Sequence, residues 1–252
     1  GYTSPALRWL LGQADTVFVQ TPSEQQAARE LGVDAGKIVL QGLGVDPSEC
    51  TGGDRAAARR DWGLGADEIV IGHLANNSRE KGTIDLLEAA GELWRRGLPA
   101  RVLLAGPEMP NFRAFWDEFS RNHPVATVAH VVRLGVLEEM RKRDFFAAID
   151  VFALPSRSDS FGLVLLEAWA NGVANIAYRA GGPADVIRHE QDGLLVACGD
   201  ISQLAQSLER LCADKKDRLR LGRAGQARLD RDFRWEDKLR LVRHTYVKLV
   251  NG

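Results

Sequence analysis

Residues 154–176 read LPSRSDSFGLVLLEAWANGVANI, and this stretch decides how the chain is to be read. The apolar run 151–154 is a short strand that stops at Pro155, and a polar loop, 156–160, follows. Phe161 and Gly162 then turn the chain into a helix over 163–171, whose one acid, Glu167, stands in an otherwise apolar run. Asp159 lies just before that turn. An unpaired buried carboxylate is costly, so a core helix gains nothing from Glu167. Either an Arg on a neighbouring element pairs with it, or a ligand needs a carboxylate near a helix N-terminus.

Outward from this stretch, short apolar strands alternate with helices. Upstream, strands are expected at 16–20, 37–41, 68–75, 101–105 and 127–132, with helices at 8–13, 21–31, 55–62, 83–96, 112–121 and 137–148. Thr21 or Ser23 caps the second helix, and GLGVDP at 42–47 makes a turn. Downstream come a strand at 174–178, a glycine loop into a short helix at 184–189, a strand at 193–197, and helices at 201–213, 215–230 and 235–250. Continuous apolar strands alternating with helices mark an α/β fold, a Rossmann-like doubly wound parallel sheet covered on both faces. Such sheets bind ligands at the carboxyl ends of their strands. The loops there are 76–82, 106–110, 133–136, 156–162 and 180–183, and they hold most of the unusual residues.

Composition narrows the classes. With 252 residues, 45% hydrophobic, 27% charged and a net charge of −1, the chain suits one or two soluble domains. That balance gives no reason to expect nucleic acid or an anionic membrane, although the Arg-rich C-terminal helices can form a local basic face. Cys50, Cys198 and Cys212 are odd in number, far apart and without CxxC spacing, as expected for reduced thiols in a cytoplasmic protein with no metal cage. No apolar run approaches the roughly 20 residues of a membrane span, and no signal peptide is visible. The chain opens Gly1-Tyr2-Thr3-Ser4-Pro5 without an initiator Met, which raises the expectation of a fragment or processed chain.

Several residues at the strand ends could carry chemistry. Phe161 is expected at the donor together with the backbone N–H groups at Gly162, Leu163 and Val164, which stand at the positive end of a helix and could meet phosphate; a plain loop-to-helix joint would look the same. Glu167, acceptor-only when ionised, could take two hydrogen bonds from a vicinal diol such as ribose. Asp159 could equally be an ordinary turn residue. Lys81, with Arg79 before it, ends a loop that closes on Gly82 and could hold a diphosphate. Asn76, Asn77 and Ser78 offer hydrogen bonds without charge. Gly181-Gly182-Pro183 could bring backbone close to a ligand. The five histidines, at 73, 123, 130, 189 and 244, are read as structural. Together the set suits a nucleoside diphosphate, whereas no GxGxxG follows an early strand, and no P-loop, HExxH or GxSxG is present.

At this point the residues resemble a known family. SRSDSFGLVLLEAWANG is similar to the PSxxEGFGxxxxEAMAxG signature of retaining GT-B glycosyltransferases of family 4 (group 1). NNSREKGTIDLLEA resembles the family's GRLxxxKGxxxLLEA phosphate loop, and AGGPADVIRHEQDGLLV its GGxxEvIxxgxxGlLv stretch. The resemblance runs in order over about residues 14–250. It implies transfer of a sugar from a UDP-, GDP- or ADP-linked donor with retention, without a metal or other cofactor. By position, Glu167 would hold the ribose hydroxyls, Asp159 would face the donor sugar, and Lys81 would neutralise the leaving diphosphate. Main-chain groups at Leu134–Val136 would meet the base. The implied divisions are 1–42, the last βαβ unit of the N-terminal acceptor domain; 43–234, the C-terminal nucleotide-sugar domain; and 235–252, a helix crossing back. A carbohydrate or lipid-linked acceptor would bind through the missing N-terminal domain, in a cytoplasmic protein that could associate peripherally with the inner face of the membrane.

Two departures stand out. Gly72 is followed by His73 where the family has its Arg nearby, so Asn76 or Arg79 is expected to stand in. Asp159 replaces a longer Glu. These leave two alternatives to a transferase: a non-catalytic nucleotide-sugar-binding module, and a GT-B sugar-nucleotide epimerase.

Overall fold

Burial of apolar runs against helices produces the alternation the sequence predicts. In the computed structural model, which describes residues 4–251, the chain runs α1 (Pro5–Gln13), β1 (Val17–Val19), α2 (Pro22–Glu30), β2 (Ile38–Leu40), α3 (Pro47–Cys50), α4 (Arg55–Asp61) and β3 (Val70–Leu74). It continues through α5 (Thr83–Arg95), β4 (Arg101–Ala105), α6 (Pro110–Asn122), α7 (Val125–Val128), β5 (Val131–Gly135), α8 (Glu139–Ala148), β6 (Val151–Leu154) and α9 (Leu163–Ala170). Last come β7 (Ala174–Tyr178), α10 (Gly181–Val186), β8 (Gly193–Val196), α11 (Ile201–Ala213), α12 (Lys215–Asp232) and α13 (Trp235–Asn251). Gly1–Thr3, the start of the expected 1–42 unit, and Gly252 lie outside the described residues.

Six strands form one parallel sheet in the order β5-β4-β3-β6-β7-β8, while β1 and β2 pair in a sheet of their own. The order reverses between β3 and β6, which pair Ile71 with Val151 and Gly72 with Phe152. One face is buried by Ile84, Leu87, Trp116, Leu204 and Leu208. The other is buried by Phe145, Phe146, Leu165, Trp169 and Phe233. The Trp169 indole, fully buried, donates to the Asp192 carbonyl at 3.0 Å, so its one polar atom is satisfied. Each large side chain buried this way contributes about 1.5–3 kcal/mol.

Three stretches differ from the sequence reading. The strand expected at 127–132 begins at Val131; Val125–Val128 form instead a single helical turn after Pro124. β-Branched residues suggested extension there, but pairing with β4 starts at Val131 opposite Val102. Arg133 and Leu134 are therefore strand residues, and the loop starts at Val136. The second difference is at 42–47, where Pro47 opens a helix with Asp46 as cap, accepting from the Ser48 N–H at 2.8 Å. The third is α10, which begins at Gly181 rather than Ala184: Pro183 fits a first helical turn, where no N–H is needed.

The β1–β2 pair leans on the larger body. Asp185 of α10 accepts from the N–H and hydroxyl of Ser23, at 3.1 and 3.0 Å, at the start of α2. The Trp235 N–H donates to the Val45 carbonyl at 3.1 Å, and the Tyr246 ring of α13 lies 6.1 Å from Phe18 of β1. Among the described residues, no helix is long and apolar enough to cross a membrane.

Candidate active site

The loops after β3 and β6 leave the sheet side by side where its strand order reverses, and such switch points open a crevice. The first loop is fixed from within. Ser78 accepts at its carbonyl from Thr83 N–H (3.0 Å), and its hydroxyl accepts from Lys81 N–H (3.1 Å). Gly82 closes the loop at φ 73°, and a Cβ there would run into the Pro155 carbonyl, so only glycine fits. Asn77, almost fully buried, donates to the Gly106 carbonyl at 3.1 Å and accepts at its own carbonyl from Met109 N–H at 3.0 Å, joining this loop to the one after β4.

His73 anchors the strand beneath. Fully buried, its ring nitrogens lie 2.8 Å from the Ala153 carbonyl and 2.9 Å from the Thr83 hydroxyl. Burial pushes its pKa down to about 4 despite the bond to Ala153. This histidine is structural, as its place in a strand suggested. His244, by contrast, is exposed on α13.

The second loop carries Asp159. Lys81 Nζ lies 2.6 Å from Asp159 Oδ2 and 3.3 Å from the Ser158 carbonyl. Both side chains keep some exposure, 28% and 17%, so water and ligands can reach the pair. The Asp159 carbonyl accepts from Gly182 N–H at 2.8 Å, which puts the glycine pair against this loop. Gly162 caps α9 at φ 82° with no side-chain cap, so N–H groups of the first turn, at Leu163 and Val164, lack intrahelical partners. Phe161 departs from the expectation of a ligand-facing residue: its ring is buried, edge-on to Phe233 with centroids 6.1 Å apart. It is part of the core because the turn at Gly162 needs an apolar peg beneath it.

Glu167 has a cationic partner on a neighbouring helix, a lysine rather than the expected arginine. Its Oε1 lies 3.3 Å from Lys142 Nζ on α8. It also lines a cavity of about 330 Å³ with Lys142, Arg143, Cys50, Val45 and Trp235. Burial draws the Lys142 ammonium toward neutrality, but Glu167 and Glu139 outweigh it and hold its pKa above the ordinary value. Cys50 responds oppositely: burial, then Glu167, raises its thiol to about 11.

Lys81 lines a separate, more open cavity of about 520 Å³ with Asn76, Ser78, Glu80, Met109 and Asn111. Of the two residues expected to replace the family's Arg, Asn76 is therefore at the crevice. Arg79 does not line this cavity itself; its N–H donates to Asn111 at 3.4 Å. Hydrogen bonds, that from Asn111 first, and the Arg79 charge lower the Glu80 carboxyl, and Arg79 partly offsets the burial that raises Glu88. Lys81 is the one cation among the described residues lining this cavity. Leu134 is the half-buried penultimate residue of β5, whose Gly135 carbonyl accepts from Gly106 N–H at 2.7 Å, while Val136 just after the strand is 73% exposed.

Sequence reading missed Lys142 because EEMRKRD looks like a solvated, charge-dense helix face. It also missed the α3 linker, although Asp46-Pro47 is a helix-start signal.

Residues 54–228 match the family of glycosyl transferases group 1. The chain is similar to the D-inositol 3-phosphate glycosyltransferase of Rhodococcus erythropolis, 34% identical over 233 residues, covering 90% of this chain and 52% of the relative. It is also similar to that of Nocardia farcinica, 32% identical over 223 residues, covering 84% and 48%. The chain thus spans about half the length of the curated relatives it matches. Among solved structures it is similar to sucrose-phosphate synthase from Thermosynechococcus elongatus, with a TM-score of 0.83 at 27% identity over 97% of this chain and 60% of that one. Anabaena Alr3699/HepE in complex with UDP shares the fold, with a TM-score of 0.85 at 21% identity over 96% of this chain and 66% of that one.

Proposed function

The chain belongs to the glycosyl transferases group 1, and from that premise we propose that residues 43–234 are the nucleotide-sugar-binding domain of a retaining glycosyltransferase. Residues 1–42 are then the last βαβ unit of the acceptor domain, and 235–252 a helix crossing back onto it. The observation that carries this reading is Lys81 facing Asp159 across the sheet's switch point.

In the reaction, the bond between the sugar's anomeric carbon and the diphosphate oxygen breaks, and its electrons leave with the diphosphate. The acceptor hydroxyl oxygen bonds to that carbon and passes its proton to a leaving phosphate oxygen. Charge develops on the diphosphate, so Lys81 and the first-turn N–H groups of α9 do most for the rate; one such fixed donor is worth about 10²–10³-fold. The sugar becomes oxocarbenium-like, and Asp159 would face its hydroxyls. Glu167 would accept from both ribose hydroxyls while sharing its charge with Lys142. Val136 and the Gly135 main chain would border the base. These are the chain's own groups, and no metal enters the scheme.

The relatives' name points to a phosphorylated polyol as a class of acceptor. Its recognition is assigned to the half of their length that this chain does not span, so the 252-residue polypeptide should bind donor weakly and transfer little. Ordinary turnover by this polypeptide would contradict that division. The test of the donor site is a thermal-shift panel of UDP, GDP, ADP and their glucose conjugates. One base should stabilise the chain, by about 2.7 kcal/mol at a hundred times its Kd, and a flat panel would sink the reading. A non-catalytic donor-binding module is the second reading, favoured because Arg79 does not line the Lys81 cavity. Donor binding without any hydrolysis in the full-length protein would select it.

A further inference from the structure

Below the crevice lies a polar contact between a buried Asp85–Tyr178 pair and a partly exposed Arg157 that none of the roles above uses. Asp85, in the first turn of α5, has a side chain only 2% exposed, and its Oδ2 lies 2.5 Å from Arg157 Nη2. The same oxygen accepts from the Tyr178 hydroxyl at 2.8 Å. Tyr178 is itself fully buried at the end of β7. Burial, then the Asp85 carboxylate, raises the Tyr178 pKa, which keeps the phenol a donor. The Arg157 guanidinium rests against Gly199, where a Cβ would come within 3.3 Å of Nη1.

Placement gives this contact its meaning. Asp85 follows Lys81 by one helical turn, and Arg157 precedes Asp159 by two residues. The Arg157 N–H donates to the Glu80 carbonyl at 2.9 Å, so this residue binds the first loop through its backbone and the helix that follows it through its side chain. Neither Arg157 nor Asp85 lines the cavities at Glu167 and Lys81. An ion pair with one partner buried and the other, Arg157, 39% exposed is weak evidence of stability. A fixed geometry is what it can supply.

Resting on the donor-site reading, we propose that Arg157, clamped by Asp85 and Tyr178, is a positioning residue that holds Asp159 in place once the donor takes Lys81 away from it. In the free protein Lys81 tethers Asp159. When the diphosphate competes for the ammonium, that tether weakens, and Arg157–Asp85 remains to keep the loop aimed at the sugar.

The test uses the 252-residue chain. Hydrogen exchange without ligand, in a Lys81→Ala background that removes the first tether, should rise about tenfold or more at the amides of 158–162 when Arg157→Gln is added, with β6 and β7 amides unchanged. With the nucleotide that stabilises the wild type most, Arg157→Gln should keep diphosphate affinity within about threefold and lose the extra affinity contributed by the sugar. Arg157→Lys should restore part of it, and Tyr178→Phe should show a milder form. Unchanged exchange at 158–162 overturns the inference. So does equal weakening of nucleoside diphosphate and nucleotide sugar, which marks a merely structural role. A wild-type chain that binds no nucleotide overturns the donor reading instead, and the exchange measurement alone then decides whether Arg157 holds the loop.

Discussion

Lys81 and Asp159 meet at 2.6 Å across the reversal of strand order, each on a loop leaving one of the two central strands. In the free protein the cation is thus already paired with the carboxylate proposed to face the sugar. A diphosphate must compete for Lys81, and its arrival leaves Asp159 free to meet hydroxyl donors.

Lys81→Ala should weaken binding of the preferred nucleoside diphosphate by about 10- to 100-fold, the range for hydrogen bonds to charged groups. The phosphate-free nucleoside should be unaffected. Asp159→Asn should act in the other direction on the diphosphate, holding or improving its affinity because Lys81 is released, while the sugar's share of binding is lost. Calorimetric titration separates the two. Equal losses for nucleoside and diphosphate in Lys81→Ala would place the lysine outside the phosphate site.

Glu167→Ala should lower the affinity for nucleoside and nucleoside diphosphate alike, by about 10-fold or more. The loss should shrink for the 2′-deoxy nucleotide, which offers one hydroxyl fewer. Lys142→Met checks the partner: Glu167 Oε1 loses a cation at 3.3 Å, so the nucleoside should be held less selectively without the collapse seen on removing the acid. If ribose and deoxyribose forms suffer equally in Glu167→Ala, the carboxylate does not read the diol.

The alternation of strands and helices and the loops at the strand ends were legible because apolar runs and their breaks are local signals. Glu167 stood out as a charge in an apolar helix, Lys81 and Asp159 only as charges on two of those loops. What stayed hidden depends on distance in sequence. Glu167 and Lys142 are paired through the packing of α9 beside α8, and nothing local in EEMRKRD marks one of its cations as special. Arg79 and Lys81 look interchangeable in the sequence; only the folded loop brings Lys81 to 2.6 Å from Asp159 and leaves Arg79 out of that cavity's lining. The burial of the Phe161 ring against Phe233 is hidden for the same reason, since its partner lies 72 residues away in the sequence.

The three thiols should separate by reactivity. Cys198 is exposed, whereas burial raises Cys50 to about 11 and Cys212 to about 12. At pH 8 only about a thousandth of Cys50 is thiolate, so a disulfide reagent should titrate one thiol quickly and two slowly. Cys50 lines the Glu167 cavity and Cys212 does not. In a Cys198→Ser chain, the preferred nucleotide should therefore slow one of the two remaining reactions further and leave the other alone. Protection of neither would dissociate the cavity from the nucleotide.

His73 makes the fold sensitive to acid. In the folded chain its pKa is about 4, against an ordinary value of 6.5, because burial disfavours the charged ring. The unfolded chain therefore binds the proton more readily, and stability must fall as pH drops through the window between those values. Above 6.5 the ring is neutral in both states and costs nothing; below about 4 the full penalty is present. At about 1.4 kcal/mol per pH unit, the window amounts to about 3 kcal/mol, a large share of a typical domain's stability. The penalty has a local route into the site, since the ring holds Thr83 beside the loop that carries Lys81. Urea midpoints measured from pH 7.5 to 4.5 should fall more steeply for the wild type than for His73→Gln, which cannot take up the proton. Parallel curves for the two would mean that the ring is not the group that titrates.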